Sequence, residues 1–245
     1  MKETAPGVKT ELGKMQNPKK AKILQRFFKT GKGEYGEGDV FLGINVPQTR
    51  AVAKKFSGIA RLDLEKLIES KVHEERLCGF LILVNKFQKG DGQEKKNIFD
   101  FYIAHAQSAN NWDLVDLSAD KICGAFLFGK DASLLYSLAK SENIWERRIA
   151  MVSTFAFIKK REFKHTFRIS ELLMGDSHDL IHKAAGWMLR EAGKRGGEKE
   201  LTEFLEKHAS KMPRTMLRYA VERMPPKQRV RFLSKKRNPA SKEKG

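Results

Sequence analysis

The sequence is short of several things. It has two cysteines, Cys78 and Cys123, in 245 residues. Both sit in apolar stretches, LCGFLILV and ICGAFLF. That usage excludes a disulfide scaffold, offers no zinc or iron–sulfur spacing, and implies buried thiols in a reducing cytosol. No apolar run is long enough to cross a bilayer. The opening MKETAPGVKT has no apolar core of a secretory leader, so a cytoplasmic protein is expected. Sustained strand alternation is also missing, which removes the sheet folds.

Acid is the other shortage. Asp and Glu number 30 against 48 Lys and Arg, a formal net charge of +18. Residues 227–245 carry eight Lys/Arg and one Glu, so +7 belongs to the end of the chain and +11 to the body. A basic tail therefore does not account for the balance. An excess of this kind favours a polyanionic partner, most simply nucleic acid. No strongly basic amphipathic helix with an exposed aromatic face is evident, so no membrane partner is expected.

What is present is helical spacing. Ala21, Leu24, Phe27 and Phe28 form one apolar stripe; Leu77, Phe80, Leu81, Val84 and Phe87 form another. Ile149, Val152, Phe155 and Ile158 make a third, and Ala184, Trp187 and Met188 a fourth. About a dozen helices of ordinary length are predicted. Asn143 three residues before Glu146 suggests a capping box, and Pro47 suits a first helical turn. The stronger helices begin near His73, Trp112, Asn143 and Asp179, at intervals of about 30 to 40 residues, the period of helix-pair repeats. The predicted fold is all-α, an α-solenoid of HEAT-like helix pairs with a basic concave groove. A compact helical bundle is the alternative. One domain is expected over 1–233, with a basic tail at 234–245 lacking a core pattern.

In NNWDLVD (110–116) a tryptophan and an aspartate stand one turn apart. Residues i and i+4 share a helix face, so Trp112 and Asp116 point one way and Asp113 is rotated off by about 100°. Trp145 is followed by Arg147 and Arg148, and Trp187 lies one turn from both Lys183 and Arg190. Arg and Lys interleaved with aromatics suit phosphates and the faces of sugars or bases. Core packing is the competing account of each tryptophan, and Trp145 suits it best. A carboxylate near phosphates needs a reason. One exists if the ligand is cationic: cleaving the glycosidic bond of an alkylated purine puts positive charge on the deoxyribose, which a fixed Asp116 would stabilise. The competing account is a surface acid in a first helical turn, which Asp113 fits better than Asp116.

Other motifs are poorer. GKGEYGEGD (31–39) lacks the order of a phosphate loop, and its acids would repel phosphate; a mobile turn or substrate-side loop is expected instead. His178 and His182 have a metal-like spacing without an accompanying acid motif, and HEER (73–76) is not a zinc motif, so no metal or other cofactor is expected. No serine or cysteine nucleophile arrangement is evident.

Together FLGINVPQTR (41–50), NNWDLVD, NIWERRIA (143–150) and HKAAGWMLREAGK (182–194) resemble, in order and spacing, the AlkD-type DNA alkylation-repair glycosylases, over residues 15 to 225. The resemblance implies HEAT-like repeats and excision of cationic N3- or N7-alkylpurines, of the 3-methyladenine and 7-methylguanine type, from duplex DNA without base flipping. It implies catalytic roles for Asp116, Trp112 and Trp187, with DNA contacts at Arg148 and Arg190. Lys183 and Arg147 join them as expected DNA contacts from their place beside the tryptophans. An aromatic that is Tyr in well-known members is Phe27 here, also an expected DNA contact closing the site, so the ring stays and its hydroxyl is lost. The expected protein is a monomer that meets DNA at the nucleoid and needs no cofactor. The rival expectations are a non-catalytic DNA-binding or scaffold repeat protein and a protein-interaction solenoid.

Overall fold

The computed structural model describes residues 3–235. The tail expected at 234–245 lies outside the described residues from 236 onward. After Phe126 the chain divides into two compact units. A repeat array has no single core, and its repeats touch only their neighbours, so division of this kind suits such a fold.

In the first unit the helices are α1 (Ala5–Gly13), α2 (Pro18–Phe27), α3 (Val46–Lys55), α4 (Arg61–Ile68), α5 (His73–Lys89), α6 (Gly92–Ala104) and α7 (Trp112–Ser118). A π-helical turn over Asp120–Gly124 follows α7, and α8 (Ala125–Leu127) runs across the division at Phe126. The second unit holds α9 (Ser133–Leu138), α10 (Ile144–Ile158), α11 (Lys164–Leu172), α12 (Asp179–Lys194), α13 (Glu198–His208), α14 (Arg214–Ala220) and α15 (Pro226–Leu233). Among the described residues there is no strand; one parallel bridge joins Val40 and Val72. Among the described residues no helix is long and apolar enough to cross a membrane.

Helix α5 is the centre of the first unit. Residues 73–84 are buried without a break, so the helix has no solvent face there, as befits a core helix. It packs on α1, α3, α4, α6 and α7. In the second unit α10 packs on α12 and α12 on α14, with α11 and α13 placed between them in sequence. Packing of every other helix is the mark of stacked helix pairs, and the fold is all-α of that repeat kind.

Local signals explain most of the ends. Asn143 caps α10 by accepting from the Trp145 and Glu146 N–H groups. The full capping box lies elsewhere: Asn45 and Gln48 bond reciprocally at the start of α3, with Pro47 between them. Pro18 opens α2, whose only buried residue is Ala21. Its Ile23 and Phe27 are exposed, and Lys19, Lys22 and Arg26 are exposed with them. The sequence pattern was expected to hold no basic helix with an exposed aromatic, and α2 is one. Of the apolar stripe, Ala21 and Phe28 are buried with Leu24 packed against them, while Phe27 is exposed.

Candidate functional site

The seven residues of α7 sort by face. Trp112 and Asp116 are half-buried, while Asp113, Leu114 and Val115 between them are buried. The i,i+4 relation therefore holds, and Asp113 is not the surface acid expected of it. Asn111 caps the helix by accepting the Trp112 N–H at 2.8 Å. The Trp112 ring stacks on Phe28, centroids 5.1 Å apart and planes 18° apart, and meets Phe27 edge-on at 6.0 Å. Phe27 itself is 60% exposed. Asp116 is engaged by its surroundings, and its negative charge helps raise the pKa of Tyr102, whose hydroxyl is held up chiefly by burial.

Beneath these residues lies a buried charge cluster. The His73 ring is 2% exposed and reaches Asp39 through Nδ1 at 3.1 Å and Asp113 through Nε2 at 2.9 Å. Arg76 donates to the other Asp39 oxygen at 2.6 Å and to the Ser70 carbonyl at 2.6 Å. Burial disfavours charge on His73, but the Asp113 and Asp39 carboxylates outweigh it and raise the pKa to about 9. Asp39 is likewise opposed by burial, yet His73 and Arg76 hold its carboxyl below the usual range. At neutral pH both His73 nitrogens donate, two cations face two anions, and the cluster is neutral. Phe41 stacks on the His73 ring at 4.4 Å and on Phe28 at 5.1 Å, so rings run from His73 to Trp112.

The segment that brings Asp39 and Phe41 here is pinned by Glu74. Its carboxylate accepts the Leu42, Gly43 and Ile44 N–H groups at 2.9, 2.8 and 3.1 Å. Gly43 has φ +84°, and a Cβ there would lie 2.2 Å from the Asn17 carbonyl oxygen, so only glycine fits. In the GKGEYGEGD loop Glu34 and Glu37 accept the Gly31 and Gly33 N–H groups, and Asp39 is drawn inside.

The second unit carries the other expected residues. Arg147 Nε lies 2.6 Å from Asp176, and Arg147 Nη1 donates to the Ser141 and Glu142 carbonyls. Arg148 is 5% exposed and donates to the Leu180 carbonyl at 2.6 Å. Both guanidinium groups thus donate to the protein itself. Arg190 pairs with Glu222 and Glu191, and Lys183 with Asp179 at 2.9 Å. Trp145 is buried, as its apolar neighbours suggest. Trp187 is half-buried, 6.1 Å from Phe155, and Phe155 is itself covered by Lys159 at 4.4 Å and Arg195 at 5.2 Å. His178 accepts the Leu180 N–H and His182 Nε2 donates to the Asp176 carbonyl, so this pair serves the start of α12.

Sequence reasoning missed the HEER quartet, Asp39, and the Phe155, Lys159 and Arg195 group. Only the first left a signal: four charged residues leading without a polar break into LCGFLILV. Charges that open a fully apolar helix have to be buried with it or paired.

The sequence profile of a family described as "DNA alkylation repair enzyme" matches residues 8–224. Among solved structures, the chain is similar to a "Predicted DNA alkylation repair enzyme from Enterococcus faecalis". That likeness has a TM-score of 0.65 at 18% identity and covers 86% of this chain and 97% of the other. It shows a shared fold. No curated protein matches the chain.

Proposed function

The chain belongs to the DNA alkylation repair enzyme family, and from that premise we propose that it is a DNA glycosylase for cationic N3- or N7-alkylpurines in duplex DNA. One observation carries the reading. An otherwise basic chain presents a carboxylate, Asp116, beside an aromatic face, Trp112, while every residue between them is turned inward. A DNA-binding protein without chemistry gains nothing from an acid at that place, because phosphates repel it.

The reaction asks for little else. The bond between deoxyribose C1′ and the purine nitrogen breaks, and its electron pair leaves with the base, which departs neutral. Positive charge develops on the sugar ring, and Asp116 stabilises it. Water then adds to C1′ and gives up a proton, leaving an abasic site. A cationic purine is a good leaving group, so a carboxylate supplying about 1.4 kcal/mol for each tenfold in rate meets much of the demand. Trp112 and Trp187 are assigned to the sugar and backbone around the lesion, with Phe27 as an exposed ring beside Trp112. Lys183 and Arg190 are assigned to phosphates, where duplex DNA would compete with Asp179, Glu191 and Glu222 for them. Neither base flipping nor a metal or organic cofactor enters this scheme.

The test is release of 7-methylguanine from methylated duplex DNA by wild type and by Asp116→Asn, with duplex affinity measured alongside. Release by wild type, abolished in a variant that still binds, is the expected result. Undiminished release by Asp116→Asn would remove the carboxylate from the mechanism. If wild type binds DNA but releases neither 7-methylguanine nor 3-methyladenine nor bulkier adducts, the protein is a binding module and the enzyme reading is wrong.

A further inference from the structure

We propose that His73, clamped between Asp39 and Asp113, is a positioning residue that sets Trp112 and Asp116 for the glycosidic step, a role that rests on the glycosylase reading. Two physical links run from it to those residues. The first is through the backbone. Asp113 lies next to Trp112 and three residues before Asp116, and its Oδ2 is held by His73 Nε2 at 2.9 Å while Oδ1 accepts the Leu114 N–H at 2.9 Å. The second is through the rings: Phe41 lies on His73 at 4.4 Å, and Phe28 lies between Phe41 and Trp112 at 5.1 Å from each.

A helix of seven residues is too short to hold its own orientation, since isolated helices of that length do not persist in water. Rotating α7 by one residue, about 100°, would carry both Trp112 and Asp116 off their face. Leu114 and Val115, both fully buried, oppose such a slip through volume and shape alone. A buried ion pair is different. It is satisfied in one geometry and costly in every other. His73 supplies a rigid base for that geometry, because it opens the unbroken buried stretch 73–84 of α5. The groups facing it are Asp39 from the 28–45 segment, Asp113 from α7, Arg76 from its own helix, and the Phe28 and Phe41 rings. Burying four charged groups is no route to stability, since apolar residues of similar volume usually do as well. Holding one orientation of α7 is a use the arrangement does serve.

The experiment compares His73→Gln, Asp113→Ala and Asp113→Asn with wild type. It uses single-turnover release of 7-methylguanine from methylated duplex, duplex affinity, and thermal melting. His73→Gln and Asp113→Ala are expected to lower the single-turnover rate constant by about tenfold to a hundredfold, the scale of a small misplacement of reacting groups. Duplex affinity should change by no more than about threefold, a smaller effect than the rate because the phosphate contacts are elsewhere. Asp113→Asn keeps an acceptor oxygen for His73 Nε2 and is expected to recover most of the rate. A merely structural role would instead lower the amplitude, the fraction of active protein, and leave the rate constant of that fraction unchanged; that result overturns the proposal. So does an Asn variant no faster than the Ala variant. If His73→Gln fails to fold, the two Asp113 variants carry the comparison. Silence of wild type on all adducts sinks the glycosylase reading and this one with it, whereas active wild type with equally fast variants sinks the positioning role alone.

Discussion

Phe28 and Trp112 lie face to face, centroids 5.1 Å apart, and Phe27 meets both of them edge-on from the solvent side. Two adjacent phenylalanines thus have opposite duties. Phe28 is buried in the small cluster with Ala21 and Phe41, and Trp112 rests against that cluster. Phe28→Ala should cost about 3–5 kcal/mol of stability, as for other buried aromatic truncations. Phe27→Ala should cost no more than about 0.5 kcal/mol, since its ring is mostly in water. It should instead weaken binding to methylated duplex. Chemical denaturation paired with a duplex titration checks both, and equal stability losses in the two variants would contradict the assignment.

Stability should fall with rising pH because of His73. Its pKa is raised from an ordinary value near 6.5 to about 9 in the folded protein. The folded state binds the proton more tightly than the unfolded chain does. The contribution is therefore complete below about pH 6.5 and is lost as pH rises through about 9, reaching about 3 kcal/mol in all. His165, His178 and His208 do not blur this window, because burial lowers each of theirs, and burial pushes the Cys78 thiol up to about 12. Urea unfolding between pH 6 and 9.5 should show the decline in wild type and a flat profile in His73→Gln. A flat wild-type profile would mean that His73 is not held as a cation.

In the second unit the arginines beside Trp145 should matter less for DNA than two cations further on. Arg147 has its guanidinium on Asp176 and two carbonyls, whereas Lys159 and Arg195 lie over the Phe155 ring beside Trp187. Arg147→Ala should lower the melting temperature and leave duplex affinity per folded molecule near wild type. Lys159→Ala and Arg195→Ala should each weaken binding and reduce the slope of log affinity against log salt by about one. Salt titrations on undamaged duplex decide this, and the reverse pattern would restore Arg147 as a phosphate contact.

The contrast between α5 and α7 shows what could be read without coordinates. Apolar spacing announces the helix over 73–89 and its inward stripe, because periodicity reflects burial directly. The pairing of Trp112 with Asp116 follows from helical geometry alone. Asp113 was misjudged because local rules favour an acid in a first turn at the surface, and its partner His73 is 40 residues away. Asp39 was hidden for the same reason, inside a loop whose other acids do face solvent. Arg147 and Arg148 look alike in NIWERRIA, yet only tertiary structure sets Asp176 against one and the Leu180 carbonyl against the other. Burial of charge depends on long-range partners, and periodicity carries no information about them.

Glu74 offers the sharpest stability prediction, since its carboxylate is almost wholly buried and takes three N–H groups from Leu42, Gly43 and Ile44. Truncation to Ala would leave two buried donors, from Gly43 and Ile44, and the half-buried Leu42 N–H without a partner. Each unmatched buried donor costs about 1–3 kcal/mol, so Glu74→Ala should lose at least about 2 kcal/mol. Glu74→Gln keeps the length and one acceptor oxygen but puts an NH₂ group toward at least one of the three donors. Its loss should be smaller than that of the Ala variant and still measurable. Because the 42–44 segment carries Phe41 and Asp39 at its leading edge, both variants should also disturb the stack on Trp112. Hydrogen exchange at the Leu42, Gly43 and Ile44 amides should quicken in each, with far-UV CD unchanged. Retained protection at those amides in Glu74→Ala would show that the segment is held by its apolar contacts rather than by the carboxylate.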